Sequence, residues 1–376
     1  MKLTGVDITN FRNIVSAKTN FGLTNFIIGD NAQGKTNILE ALHYLSVGNS
    51  FKTRQEEWLV KNGELYGSVQ GELTYGEGRQ AVIDVVWERT DEETHRQFKL
   101  NGTKIARKTL LGTLLTVIFS PDDVSLLRLQ PAQRRGFLDS LISRTNKVYH
   151  ADLLDYTKTL KQRNQLLFLA KLGREDYIEI DAWDNKLAEL GSRIIQARLE
   201  LVEQLNQKIK PFFHALAESA KEFSIVYTAD PKFTDPAIYK DKLASIRSID
   251  IKSGHTNFGP HRDDLMLLLN GWDARNTASQ GEFRLMILAL KLAEGEYIRA
   301  RFNEMPVYLM DDVFSELDPH KSRALIEFLG NAQAIYTTTD ERFVTPEAQV
   351  IIVKEGTIIK TQNEFSTTPE FVAEAR

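Results

Sequence analysis

Residues 29–36 read GDNAQGKT, and they match G-x-x-x-x-G-K-[ST] at every fixed position. Phe26, Ile27 and Ile28 run into this stretch as an apolar strand, and Ile38, Leu39, Leu42 and Leu45 leave it at helical spacing. Strand, glycine-bounded loop and helix in that order make a phosphate cradle. The glycines let the backbone curl until its N–H groups face phosphate oxygens, and the helix starting near Lys35 adds its positive dipole end. On this reading Gly29, Asp30, Asn31, Ala32, Gln33, Gly34, Lys35 and Thr36 wrap the phosphates of ATP. Lys35 reaches the β- and γ-phosphates, and Thr36 ligates Mg²⁺.

A second stretch completes the chemistry from the other end of the chain. Residues 307–318 read VYLMDDVFSELD, four apolar residues that deliver two carboxylates at a strand end. Asp311 is expected to hold Mg²⁺, directly or through water, and Asp312, on the opposite side of the strand line, to polarise the attacking water. Adjacent aspartates at a strand end also cap turns, so the assignment rests on the pairing with the loop at residues 29–36. The third stretch, TASQGEFRLMILALKLAE at residues 277–294, opens with a capping box, Ser279 to Glu282, before an amphipathic helix with Leu285, Leu288, Ala289 and Leu292 on one face. The same Ser-x-Gly start is a second phosphate-binding helix N-terminus, with Ser279 and Gly281 as its contacts.

Around these motifs the chain changes texture twice. Residues 3–10, 68–73, 81–88, 97–100 and 114–119 read as strands, with Asn101-Gly102 as a hairpin turn. Helical spacing runs through residues 149–172 and 180–217, about 35 Å and 55 Å long at ~1.5 Å per residue. Pro231 and Pro236 mark a loop. Strand and helix alternate again: 265–269, 281–301, 307–310, 320–329, 334–338 and 350–353. The simplest organisation is one α/β domain made from both chain ends with a helical insertion between.

Bulk properties bound the function. The 376 residues are 42% apolar and 26% charged, ordinary values for a folded chain of roughly two to three domain-sized units. No stretch approaches the roughly 20 apolar residues that cross a bilayer. The longest apolar run, residues 109–119, reads as a buried strand. The start MKLTGVDITNF has no apolar signal region, so secretion is not expected. The absence of cysteine removes disulfides, thiolate zinc sites and cysteine nucleophiles. A net charge of −4 means that nucleic acid, if bound, meets a local patch. Lys52 and Arg54 follow the phosphate-loop helix, and Lys99, Lys104, Arg107 and Lys108 surround the Asn101-Gly102 turn. Such a cluster is either a solvated face or a set of DNA phosphate contacts, which need positive charge and no sequence code. His261 with Asp263 and Asp264 has no metal-ligand spacing. GPHRDD reads instead as a structural or ATP-coupled loop.

The order of these motifs, with a helical insertion between them, resembles the ABC-type heads of SMC and related DNA-repair ATPases. Three further stretches resemble the RecF family: SPDDVSLLRLQPAQRRGFLD at 120–139, LKQRNQLL at 160–167 and GPHRDDL at 259–265. The resemblance covers essentially the whole chain. It implies an ABC-type, SMC-like P-loop ATPase head with an antiparallel β subdomain (1–130), a helical insertion arm (131–253) and a C-terminal head part (254–376). It implies a cytoplasmic, weak DNA-dependent ATPase that closes as an ATP-bound homodimer on duplex or gapped DNA without sequence preference. Recombinase loading, SOS induction and mediator partners of the RecFOR pathway follow from it, with no membrane involvement. Arg12, in NFRN, resembles a residue that SMC-type heads fold over the nucleotide, placing it at a phosphate.

The chain departs from the pattern at four places. Gln130 stands before Pro131 where such chains carry Gly. The signature reads SQGE rather than SGGQ. Asp312 replaces the usual Glu, and Thr339 the usual switch histidine. The last two fit a slow, timer-like ATPase. Two rivals remain. An SMC-like architectural clamp would need long heptad arms, which the short insertion lacks. A transporter-type ATPase would not predict Arg134-Arg135 or the Lys161-Gln162-Arg163-Asn164 match.

Overall fold

The computed structural model describes residues 1–53, 55–90, 93–121, 123, 130–173, 180–217 and 220–363. The chain forms two compact units. One comprises residues 1–123, 215–218 and 287–376, the other 124–214 and 219–286. In chain order the strands among the described residues are β1 (Lys2–Phe11), β2 (Ile14–Asn20), β3 (Thr24–Ile28), β4 (Tyr66–Thr74), β5 (Gln80–Arg89), β6 (Thr94–Leu100), β7 (Thr103–Ile105), β8 (Thr116–Phe119), β9 (Phe223–Tyr227), β10 (Leu265–Leu269), β11 (Trp272–Asp273), β12 (Val307–Met310), β13 (Ala334–Thr338), β14 (Gln349–Lys354) and β15 (Thr357–Asn363).

The first unit is built on one sheet in the order β7-β6-β5-β4-β1-β2-β15-β14-β3-β13-β12-β8. Its two halves obey different rules. The run β14-β3-β13-β12-β8 is parallel. Strands of a parallel sheet are covered on both faces, and β8, β12 and β13 are buried at every residue. The run from β7 to β2 is antiparallel. There β5 alternates, with Ala81, Ile83, Val85 and Trp87 inward. Trp87 packs edge-on against Tyr44 and beside Phe11, joining this half to the helix Lys35–Val47. That helix is buried from Ile38 onward and closes at Gly48, whose left-handed φ of 65° lets its N–H reach the Tyr44 carbonyl at 2.8 Å.

Several expectations need correcting. The apolar run at residues 109–119 is not one strand. A short helix, Arg107–Leu110, is followed by a turn at Gly112 (φ 87°), and only Thr116–Phe119 extends. Strands β2 and β15 carry no clear period-two signal. In β2 only Ile14, Ala17 and Thr19 are buried. Pro231 and Pro236 do not mark plain loop. Each opens a helical turn behind an aspartate cap, Asp230 accepting from the Lys232 N–H and Asp235 from the Ala237 N–H.

The second unit contains the helices Pro131–Thr145, Lys147–Lys171, Pro236–Ser245 and Arg247–Ser253 and most of Ile180–Ala217. It is not wholly helical. Strand β10, expected within the head, pairs antiparallel with β9 in a three-stranded sheet, Leu265 opposite Tyr227 and Leu269 opposite Phe223. This pairing carries residues up to 286 into the second unit, beyond the sequence-based boundary at 253.

Candidate nucleotide site

The phosphate loop leaves β3 at Gly29, which lies so close to β14 that a Cβ would stand 2.3 Å from the Val353 carbonyl oxygen. Here glycine is required by the neighbouring strand. At Gly34 it is required by the backbone, φ 109°. Ala32 takes the left-handed region too, at φ 64°, which a residue with a side chain enters only when its surroundings hold it there. They do: the Asn13 amide donates to the Ala32 carbonyl at 3.3 Å, and the Gly356 N–H to the Gln33 carbonyl at 2.9 Å. The Lys35 ammonium donates to the Gly29 and Asp30 carbonyls at 2.5 and 2.9 Å. Burial lowers its pKa, against the opposing pull of Asp312, Asp311 and Asp30.

Strand β13 separates β3 from β12, and its register brings the motifs together. Thr338 stands opposite Ile28 on one side, and Tyr336 opposite Met310 on the other. Asp311 follows β12 and is 5% exposed. One of its oxygens, Oδ1, accepts from the Thr36 hydroxyl at 2.9 Å and the Thr337 hydroxyl at 2.7 Å. Burial raises the Asp311 pKa, and both hydroxyls oppose that rise. Asp312 turns outward in a left-handed conformation, φ 47°, with an exposed side chain and its N–H on the Thr337 hydroxyl at 2.9 Å. The two aspartates therefore diverge, one facing Thr36 and one facing solvent. A hydroxyl and a carboxylate in contact form a hard-oxygen donor set that fits Mg²⁺, which commonly takes one or two protein ligands and fills its shell with phosphate and water. Among the described residues no cluster of three or more acidic or histidine side chains offers an alternative metal site. Thr339 is exposed and lines the same cavity of about 580 Å³ as Asp312, Ser315 and Arg342.

Arg12, expected at a phosphate, has protein partners in this structure. Its guanidinium grips the fully buried Glu40 through Nε at 3.0 Å and NH2 at 2.6 Å, and donates to the Trp58 carbonyl at 3.0 Å. Sequence reasoning missed Glu40, which belongs to no local motif, and Asn13, which stands in NFRN beside Arg12 but was given no role. The signature serine, in the second unit, makes the anticipated reciprocal cap. The Ser279 N–H and hydroxyl donate to Glu282 at 2.9 and 2.8 Å, and the Glu282 N–H returns to the Ser279 hydroxyl at 3.2 Å. Lys221 takes the other oxygen of Glu282. That bond, followed by those from Ser279, pulls the Glu282 carboxyl below its usual range. Ser279 and Gly281 are exposed, and a Cβ on Gly281 would meet nothing within 4 Å.

Residues 2–360 match the family model for the RecF/RecN/SMC N-terminal domain. A DNA replication and repair protein RecF of Thermoanaerobacter pseudethanolicus is 35% identical over 94% of this chain and 98% of its own length. One from Bacillus velezensis is 31% identical over 96% of this chain and 100% of its own. The chain belongs to the RecF family. A solved RecF–ATP structure, described as a recombination mediator protein in the RecFOR pathway, is 34% identical, with a TM-score of 0.87 over 96% of this chain and 97% of that one. An SMC head from Pyrococcus furiosus, 16% identical with a TM-score of 0.58, shares the fold. The α/β, SMC-like ABC-type head expected from the motifs is thereby established. No helix among the described residues is long and apolar enough to cross a membrane.

The RecF-like stretches of the second unit interlock. Arg134 binds Asp264 through Nε and NH2 at 2.8 and 2.7 Å, and Arg135 donates to the Asp263 carbonyl at 2.7 Å. Arg163, fully buried, reaches Asp184 at 2.6 Å, Asp250 at 2.7 Å and Thr256 at 2.8 Å, while Asn164 accepts from the Thr256 N–H at 2.8 Å. His261 donates from Nε2 to the Thr256 carbonyl at 3.1 Å, so its Nδ1 accepts from the Tyr156 hydroxyl at 2.8 Å. GPHRDD is thus a structural clasp. Of the candidate DNA contacts, Lys52, Lys104 and Lys108 are exposed. Arg107 is half-buried, its Nε on the Val47 carbonyl at 3.0 Å, and burial lowers its pKa. Arg54 lies outside the described residues.

Proposed function

We propose that this chain is an ATP-driven clamp of recombinational DNA repair, in which ATP joins two copies head to head and slow hydrolysis separates them. The observation that carries the reading is the contact of Thr36 with Asp311, which joins the phosphate-loop helix to the strand bearing the paired carboxylates. In this reading residues 29–36 bind the phosphates, and Lys35 leaves its loop carbonyls for the β- and γ-phosphate oxygens. Thr36 and Asp311 hold Mg²⁺, whose charge offsets that of the phosphates. Asp312, exposed beside the site, orients and polarises water. Arg12 steadies the loop entrance through Glu40.

Ser279 and Gly281 of each copy meet the γ-phosphate bound by the other. An exposed helix start with a free approach at Gly281 supports that role. An Asp one methylene shorter than Glu at position 312, and a threonine at 339, support slow, DNA-stimulated turnover. DNA binds through Lys52, Lys104 and Lys108 without sequence code. Lys99 and Lys104 stand directly opposite each other across β6 and β7. A like-charged cross-strand pair costs stability unless an anion meets it. Gapped DNA is the working substrate, with mediator proteins as partners in recombinase loading and the SOS response, in the cytoplasm.

The test is sedimentation of the purified chain with ATP, ADP or no nucleotide, with and without gapped DNA. A dimer that needs ATP and tightens with DNA is expected, and it should vanish in Lys35→Met while the fold persists. Dimerisation of Lys35→Met at wild-type ATP concentrations would overturn the reading.

A further inference from the structure

Thr337 belongs to no motif, yet its hydroxyl touches both residues of the paired carboxylates. It is fully buried at the centre of the parallel half of the sheet, on the strand between the phosphate-loop strand and the aspartate strand. A hydroxyl has one hydrogen to give and two lone pairs. Thr337 gives its hydrogen to Asp311 Oδ1 at 2.7 Å and accepts the Asp312 N–H at 2.9 Å. The first bond fixes one carboxylate oxygen on the Thr36 side, where that same oxygen receives the Thr36 hydroxyl at 2.9 Å. The second holds the Asp312 backbone at φ 47°, a left-handed conformation that side-chain-bearing residues rarely adopt. Being β-branched, Thr337 has restricted freedom at χ1 in its strand, so the hydroxyl direction is set by the sheet.

We propose that Thr337 is a positioning residue for ATP hydrolysis, orienting the Asp311 carboxylate toward the metal and turning the Asp312 carboxylate toward the attacking water. The proposal rests on the reading of Asp311 and Asp312 given above. A plain buried threonine, satisfied by whatever lies near, would also make hydrogen bonds. Its replacement would alter stability alone.

The experiment uses the full-length chain and two substitutions. Thr337→Val keeps the shape and removes the hydroxyl, whereas Thr337→Ser keeps the hydroxyl. For Thr337→Val the Mg²⁺ concentration that half-saturates binding of a fluorescent ATP analogue should rise about tenfold or more, the usual scale for losing a partner that orients a metal ligand. Analogue binding without Mg²⁺ should be unchanged, the Asp312 amide should exchange faster with solvent, and kcat should fall more than KM changes. Thr337→Ser should restore the three that change, the Mg²⁺ dependence, the Asp312 amide exchange and kcat. Should the valine chain not fold, Thr337→Ala carries the same expectation.

Asp311→Asn in the same assay separates the two layers. Unchanged Mg²⁺ dependence in Asp311→Asn overturns the metal reading itself. A large effect of Asp311→Asn beside wild-type Mg²⁺ dependence in Thr337→Val overturns the role of Thr337 alone. Equal losses in Thr337→Val and Thr337→Ser, tracking their melting temperatures, would also overturn it.

Discussion

Of the three Asp-Asp pairs in the sequence, Asp263-Asp264 in one unit and Asp311-Asp312 in the other meet opposite fates. Asp263-Asp264 stands just before β10, and Asp311-Asp312 just after β12. Asp264 is clamped by the Nε–NH2 edge of Arg134, and Asp263 accepts the Tyr227 hydroxyl at 2.6 Å. Asp311 is held by the hydroxyls of two threonines, and Asp312 presents its carboxylate to solvent. An arginine cancels the charge it binds. A hydroxyl orients a carboxylate and leaves its charge for a cation or a water. Asp264 is therefore built to hold the fold, Asp311 and Asp312 to act on something else, and dipeptides alike in sequence are told apart only by what faces them.

The contrast sharpens under mutation. Asp312→Asn should lower ATP turnover by about 10²–10⁴-fold, the usual scale for removing a positioned general base. Because its carboxylate is exposed, stability should move by no more than about 0.5 kcal/mol. An ATP-bound dimer should accumulate, visible by sedimentation. Wild-type turnover would show that water is activated by another group. Asp264→Ala should do the reverse. It removes the carboxylate that both Nε and NH2 of Arg134 bind, and the Arg134 side chain is 1% exposed. Removing one partner of a buried pair costs about 3–5 kcal/mol. Urea unfolding should register that loss, with ATP affinity of the folded chain unchanged. A loss of ATP affinity that exceeds the loss of folded protein would break the comparison.

A smaller effect concerns His261, beside the structural pair. Burial holds its pKa down at about 4, against 6.5 for the free side chain, with Arg262, Arg135 and Arg163 adding to the depression and the Thr256 carbonyl opposing it. The unfolded chain therefore takes up this proton first as pH falls. The stabilisation is complete above about pH 6.5 and is lost toward about pH 4, below which both states carry the proton. Within that window the slope from one proton is at most about 1.4 kcal/mol per pH unit. His261→Asn should flatten urea midpoints plotted against pH there. An unchanged slope would mean that the imidazole is solvated in the folded chain.

What could be read in advance follows from locality. The phosphate loop, the capping box and the hairpin turn are short stretches whose backbone chemistry is written in consecutive residues, and each appears where expected. The buried parallel strands were legible because three or four successive apolar residues leave few alternatives. The contacts that assemble the site were not. Thr36 and Asp311 are 275 residues apart, and Arg12 and Glu40 are 28 apart. Glu40 looks like any polar helix residue until Arg12 is folded onto it. Residues 337–340 read TTTD; Thr339 holds the switch position, whereas the sheet sets Thr337 against the aspartates. Leu265–Leu269 read correctly as a strand but was given to the wrong sheet, because its pattern shows a buried face and not its partner.

Ser279 tests whether a residue can serve both purposes, structure and phosphate. As a helix cap bonded to Glu282, its loss to alanine should cost about 1 kcal/mol of stability. As a contact made in trans, its loss should also block ATP-driven dimerisation while the monomer still binds ATP. Ser279→Arg should be worse for dimerisation than alanine, since its bulk enters the surface where the partner's γ-phosphate must sit. The monomer should tolerate it, because position 279 is exposed. Mixing Ser279→Arg with Lys35→Met adds geometry to the test. In a head-to-head dimer of these two, one composite site pairs an intact phosphate loop with an intact signature, and the other has neither. Some ATP-dependent association should return on mixing, weaker than wild type because a single site closes. If Ser279→Arg alone dimerises like wild type, Ser279 is a cap and nothing more, and the dimer must close on another surface.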